Sequence, residues 1–156
     1  MQGKTVAQSE VVLMRTLLPN ETNSAGLIHG GYLLQYIDGA AALVARRHAG
    51  DNVATASLER MDFLTPMRPG EVLLVKACLH MAGKTSMEIG VEVDIEDIAT
   101  GAVRHAATCY LTFVALDSAG RPTPVPPLIL SNDLERERHA QALTRRQQRL
   151  ATQAQG

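Results

Sequence analysis

From Ser86 to Ile98 the chain alternates: Met87, Ile89, Val91, Val93 and Ile95 interleave with Glu88, Gly90, Glu92, Asp94 and Glu96. A period of two sends successive side chains to opposite faces, so this segment reads as a strand with one wet and one packed face. Three further segments have strand composition: Val53 to Leu64, Val72 to Met81 and Ala102 to Leu116. Turn signals separate the four at Pro66 to Gly70, Ala82-Gly83-Lys84 and Ala99-Thr100-Gly101. Consecutive strands with short turns form an antiparallel meander, and its apolar face needs a cover.

The cover precedes the strands. Glu10 to Leu18 is an apolar, β-branched run stopped by Pro19-Asn20, and a polar loop with Gly26 follows. A helix then runs from about His29 or Gly30 to about His48, closed by Arg46, Arg47, His48 and Gly50. Leu33, Ile37, Ala41 and Val44 form its core stripe; Tyr32, Gln35, Gly39 and Arg46 form its solvent stripe. Strand, long helix and then strands predict an α+β fold with a curved sheet wrapped around one central helix. One helix cannot cover every apolar strand face, so a second copy is expected to help.

Arg121 to Leu128 (RPTPVPPL) is an extended strap. Asn132-Asp133 caps a last helix, Leu134 to about Leu150, whose Arg136, Arg138, Arg145, Arg146 and Arg149 suit a solvated amphipathic tail or, alternatively, a binding patch. The expected organisation is one domain over residues 1–130 and a charged helix and tail over residues 131–156.

Bulk properties narrow the partners. The 156 residues carry 15 Lys and Arg against 16 Asp and Glu, with two Phe, three Tyr and no Trp. Neither a charge excess nor a stacking platform for nucleic acid is visible, and no anionic membrane surface is favoured. The longest apolar run, about Ala40 to Ala45, is far below the roughly 20 residues of a membrane span. No basic and then apolar leader opens the sequence. Cys78 and Cys109 lie in strand-like segments without metal spacing, so buried free thiols, a cytoplasmic location and no metal are expected.

Asp38 stands apart in the helix. It lies at the edge of the apolar face among Gly31, Leu34, Ala42 and Ala45, none of which can pair with its charge. It either reaches solvent, accepts a hydrogen bond from a nearby strand, or does chemistry. Asp is a mediocre helix former and Gly39 costs about 1 kcal/mol relative to Ala, so two locally poor choices adjoin. A carboxylate held partly out of water among alanines suits a general base. At the helix start, Gly30-Gly31 either admits close packing on a strand or lets a carbonyl approach unpaired N–H groups and the positive helix end. Gly31 and Asp38 share a face but are about 10 Å apart along the axis. One carbonyl cannot touch both in one chain. Two antiparallel helices across a twofold axis would bring Asp38 of one to Gly31 of the other.

The run Asn23-x-x-Gly26-x-x-His29-Gly30-Gly31 followed by Asp38, with TASLERMDFLTPMRPGEV, GKTSMEIGVEV and PVPPL, resembles the hotdog-fold acyl-CoA thioesterases over about residues 10–140. The similarity is to the branch of bacterial broad-range acyl-CoA hydrolases and the two-domain cytosolic acyl-CoA hydrolases of animals. It implies a five-stranded antiparallel sheet around a long central helix, dimerised edge to edge and often assembled into hexamers, as trimers of dimers. It implies hydrolysis of acyl-CoA to a free acid and CoA, with no cofactor beyond the substrate's own CoA. Asp38 would activate water or attack the thioester, Asn23 would orient water or carbonyl, and the Gly31 amide would polarise the carbonyl. Gly30, Arg60 and the turn Gly83, Lys84, Thr85 and Ser86 would meet CoA. His29 reads as a helix-start residue. Two alternatives share the fold: a hydratase or dehydratase, for which His29 is the only candidate histidine, and a non-catalytic acyl-CoA sensor.

Overall fold

The helix α1 (Gly30–Ala49) lies in the hollow of a five-stranded sheet in the computed structural model, which describes residues 1–155. Its cap residues are those the sequence suggests. His29 is the N-cap, and Gly50 turns left-handed at φ +70° while its N–H closes on the Arg46 carbonyl. Leu33, Ile37, Ala41 and Val44 are buried, and Tyr32, Gln35, Gly39 and Arg46 are exposed, as the two stripes require.

The strands are β1 (Val11–Thr16), β2 (Asn52–Leu58), β3 (Val72–Ala82), β4 (Ser86–Glu96) and β5 (Val103–Leu116). They form one antiparallel sheet in the order β1-β3-β4-β5-β2, and α1 packs against all five. The inward residues of β4 are Met87, Ile89, Val91, Val93 and Ile95, all buried against the helix. No described helix is long and apolar enough to cross a membrane.

The four later strands do not form the expected meander. Only β3, β4 and β5 are joined as hairpins; β2 crosses to the far edge and pairs with β5, because β1 holds the outer edge of β3. The strand expected to reach Leu64 ends at Leu58, where residues 59–71 begin their passage across the sheet. Arg104 clamps that connection through Thr65 Oγ1 (3.0 Å), the Pro66 carbonyl (2.7 Å) and the Glu71 carboxylate (2.6 Å). The Arg104 guanidinium holds the Glu71 carboxyl below the usual carboxylate range, against the opposing pull of burial.

The last helix, α2 (Asp133–Gln155), starts where Asn132 Oδ1 accepts the Glu135 N–H at 2.9 Å. It is not a solvated tail. Arg145 and Arg149 reach Glu88, which is fully buried, at 2.5 and 3.2 Å; Arg149 also holds Glu59, and Arg145 stacks 3.6 Å above the Tyr110 ring. The outer face of β4 is therefore dry around Glu88 and Gly90 and wet only from Glu92 onward. A carboxylate taken from water needs such partners, and an alternating pattern does not say which helix supplies them.

The strap closes the C-terminal end of α1. Val125 and Pro126 are buried, and His48 Nε2 donates to the Pro126 carbonyl at 2.7 Å. Lys4–Thr5 runs parallel to Leu128–Ile129 and ties the N-terminal segment to the strap.

Candidate active site

The loop before α1 is built to hold its own shape. Asn23 N–H donates to the Leu27 carbonyl at 2.7 Å, Gly26 turns at φ +76°, and Asn23 Oδ1 accepts from the N–H groups of Ala25 (2.9 Å) and Leu27 (3.2 Å). With Oδ1 spent on the turn, Asn23 offers its exposed Nδ2 amide to an incoming group. Glu21 anchors the loop from beneath. Its buried carboxylate accepts from the Tyr36 hydroxyl, from the Leu18 N–H at 2.9 Å and from Arg15 at 3.1 Å. Burial works to raise this carboxyl, but the Tyr36 and Leu18 hydrogen bonds and the Arg15 charge outweigh it and hold the carboxyl low.

Asp38 finds no partner on its own helix but accepts a hydrogen bond from a neighbouring strand, one of the readings its position leaves open. Thr55 Oγ1, on edge strand β2, donates to Asp38 Oδ1 at 2.8 Å. The carboxylate is half-buried, with Oδ2 unpaired among the described residues. Thr55 sits just before a β-bulge, where the register with β5 slips between Thr55 and Ser57. Bulges re-aim side chains, and they do so often beside active sites. Sequence reading passed over Thr55. Its signal was parity: it shares the inward face with Val53 and puts a hydroxyl where the other strands put apolar groups.

The helix start also departs from expectation. The Gly31 N–H, assigned to polarise a carbonyl, is occupied: it donates to His29 Nδ1 at 3.0 Å. The Gly30 N–H at the first helical position has no acceptor among the described residues. The space a side chain would fill at Gly30 belongs to Phe63, whose Cζ would lie 3.1 Å from a Cβ there. The free donor at the positive helix end is therefore one residue earlier than predicted, eight residues before Asp38.

The predicted CoA contacts do not come together within one chain. The turn at Gly83–Ser86 is fixed by Gly83 N–H to Ser86 O (2.8 Å), Ala115 N–H to Thr85 O (2.9 Å) and Val125 N–H to Lys84 O (2.9 Å), and it lies level with Val114. Arg60 lies near the level of Tyr110, roughly 13 Å further along β5, and its exposed guanidinium pairs with Asp62 at 3.1 Å. Lys84 is exposed and has no ion pair among the described residues.

Leu34 and Leu58 near Asp38 and Thr55, and Phe63 and Leu64 toward the start of α1, remain 38–61% exposed, so this side of the sheet and helix is apolar as well as acidic. A separate cavity of about 390 Å³ lies on the opposite face of the sheet, beneath α2, lined by Cys78, His80, Tyr110, Leu134 and Arg138. It shares no residue with the Asp38 cluster.

Residues 25–102 match the thioesterase superfamily. An uncharacterized acyl-CoA thioester hydrolase of Bacillus subtilis is 37% identical over 142 residues, covering 91% of this chain and 83% of that protein. Among solved structures, an acyl-CoA hydrolase of Staphylococcus aureus, in complex with butyryl-CoA, CoA and CoA disulfide, is similar at TM-score 0.90 and 37% identity, over 97% of this chain and 93% of that one. A hexameric acyl-CoA thioesterase is similar at TM-score 0.94 and 35% identity, over 99% of each chain. The Staphylococcus enzyme has also been solved with one asparagine, one aspartate or one threonine replaced by alanine. Those three positions are spaced as Asn23, Asp38 and Thr55 are here.

Proposed function

This chain belongs to the thioesterase superfamily and hydrolyses acyl-CoA thioesters to a carboxylic acid and CoA, and from that premise we propose a site shared between two protomers. The observation that carries the proposal is the pair formed by Asp38 and Thr55 on an exposed apolar edge, with the free Gly30 N–H of the same chain too far along α1 to serve the same bond. Antiparallel pairing of two α1 helices across this edge brings Asp38 of one protomer to the Gly30 amide of its partner.

In the proposed reaction the thioester carbonyl points at the Gly30 N–H and the positive end of α1, which stabilise the oxyanion. Thr55 fixes the Asp38 carboxylate so that Oδ2 takes a proton from water, and Asn23 Nδ2 orients that water. Water oxygen bonds to the carbonyl carbon, the C–S bond breaks, and CoA thiolate departs to be protonated. No cofactor enters the scheme. Lys84 and the Gly83–Ser86 turn, with Arg60, are the proposed contacts for CoA phosphates. Assembly beyond the dimer into a hexamer and a cytoplasmic location belong to the same proposal; the hexameric relative supports the first, and the free thiols of Cys78 and Cys109 support the second.

Asp38→Asn tests the site with acyl-CoA of graded chain length. The expected outcome is a loss of kcat of about 100-fold or more at unchanged fold and oligomeric state. Turnover within a few-fold of the parent would remove Asp38 from the mechanism.

A further inference from the structure

His29 does more than begin the helix. Its Nδ1 accepts the Gly31 N–H at 3.0 Å, so Nδ1 carries the lone pair and the ring proton sits on Nε2. The contact thus selects one tautomer and one ring orientation. Absence of a side chain at Gly31 is what admits the ring: a Cβ there would lie 3.1 Å from Nδ1 and 3.3 Å from Cε1. Tyr32 holds the other side edge-on, with ring centroids 6.3 Å apart. The ring is exposed, and Nε2–H has no acceptor among the described residues.

We infer that His29 is a second donor to the reacting thioester, its Nε2–H acting beside the Gly30 amide on the oxygen that becomes negative. This rests on the site proposed above. The two donors flank each other at the positive end of one helix, and both are unspent while their neighbour, the Gly31 N–H, is consumed in aiming one of them. An imidazole N–H fixed at a helix N-terminus polarises a carbonyl without giving up its proton. Placing the acceptor nitrogen on the backbone has a second consequence: the ring cannot act as a general base through Nδ1, which leaves proton abstraction to Asp38.

His29→Ser separates the two duties. Serine is a good N-cap and keeps an acceptor for the helix N–H groups, but it cannot reach the carbonyl. The expected result is an unchanged melting temperature and oligomeric state with kcat down about 100-fold and KM little altered. His29→Ala should lose both the cap and the rate. As a direct readout, carbonyl-13C butyryl-CoA bound to Asp38→Asn protein should show a lowered C=O stretching frequency, and adding His29→Ser should return much of that shift. A His29→Ser enzyme with parent kcat and an unmoved carbonyl band would overturn the inference while leaving the Asp38 site standing. If Asp38→Asn itself turned over normally, the shared site would fall first, and with it the setting for His29.

Discussion

Replacing His80 by leucine should change how stability depends on pH, not merely its size. His80 is the extra residue of a β-bulge in β3, only 8% exposed, and its ring fills the space a side chain at Gly90 would take, under α2. Nδ1 has no partner. Burial, reinforced by the charges of Arg138 and Arg145, lowers the imidazole from 6.5 to about 4. The folded state therefore holds this ring neutral, while the unfolded chain binds a proton near pH 6.5. Stability from this source is whole above that pH and is lost as pH falls toward 4. At about 1.4 kcal/mol per pH unit, the gap is worth about 3 kcal/mol, of which about 2 kcal/mol is gone by pH 5. Urea unfolding of parent and His80→Leu proteins between about pH 7.5 and about pH 4.5 measures it. His48, Glu21 and Glu71 are present in both proteins and cancel in the difference. The parent should lose about 2 kcal/mol relative to the variant on going to pH 5. A difference that stays flat across the range would refute the account of a desolvated, neutral His80.

Three further outcomes test the packing and the site. Gly90→Ala should cost about 1–3 kcal/mol by urea titration, because a Cβ would meet the His80 ring at 2.1 Å. Glu88→Ala strips the buried partner of Arg145 and Arg149 and should destabilise by about 3 kcal/mol, with α2 amides exchanging faster than those of β4. Thr55→Val keeps shape but removes the donor to Asp38; kcat should fall about 10-fold at unchanged melting temperature, read with a short-chain acyl-CoA.

Much of the candidate site is legible in the chain because its signals are local. Asp38 stood out as an acid on a small-residue edge, and the seven-residue separation from Gly31 already implied that one helix could not supply both groups to one bond. Asn23 and Gly26 form a turn that residue type alone suggests, with Asn23 Oδ1 closing it. Which helix-end amide is free was not visible. It depends on where the His29 ring rotates, and Nδ1 chose the Gly31 N–H. Thr55 was missed because the contact spans 17 residues and depends on β2 lying beside α1 at the sheet edge.

The sequence by itself determined the elements: period two in β4, the stripe of α1, the glycine that ends it and the asparagine that caps α2. Those follow from backbone geometry within a few residues, where side-chain identity sets the preference directly. Only the tertiary structure decided that β2 crosses to the far edge, that α2 seals Glu88 rather than trailing in water, and that Thr55 holds the acid. These are pairings between distant segments. Many arrangements satisfy the same local pattern, and the selection is made by which one pairs the carboxylates taken from water: Glu88 with its arginines, Glu71 with Arg104, and Asp38 with its threonine.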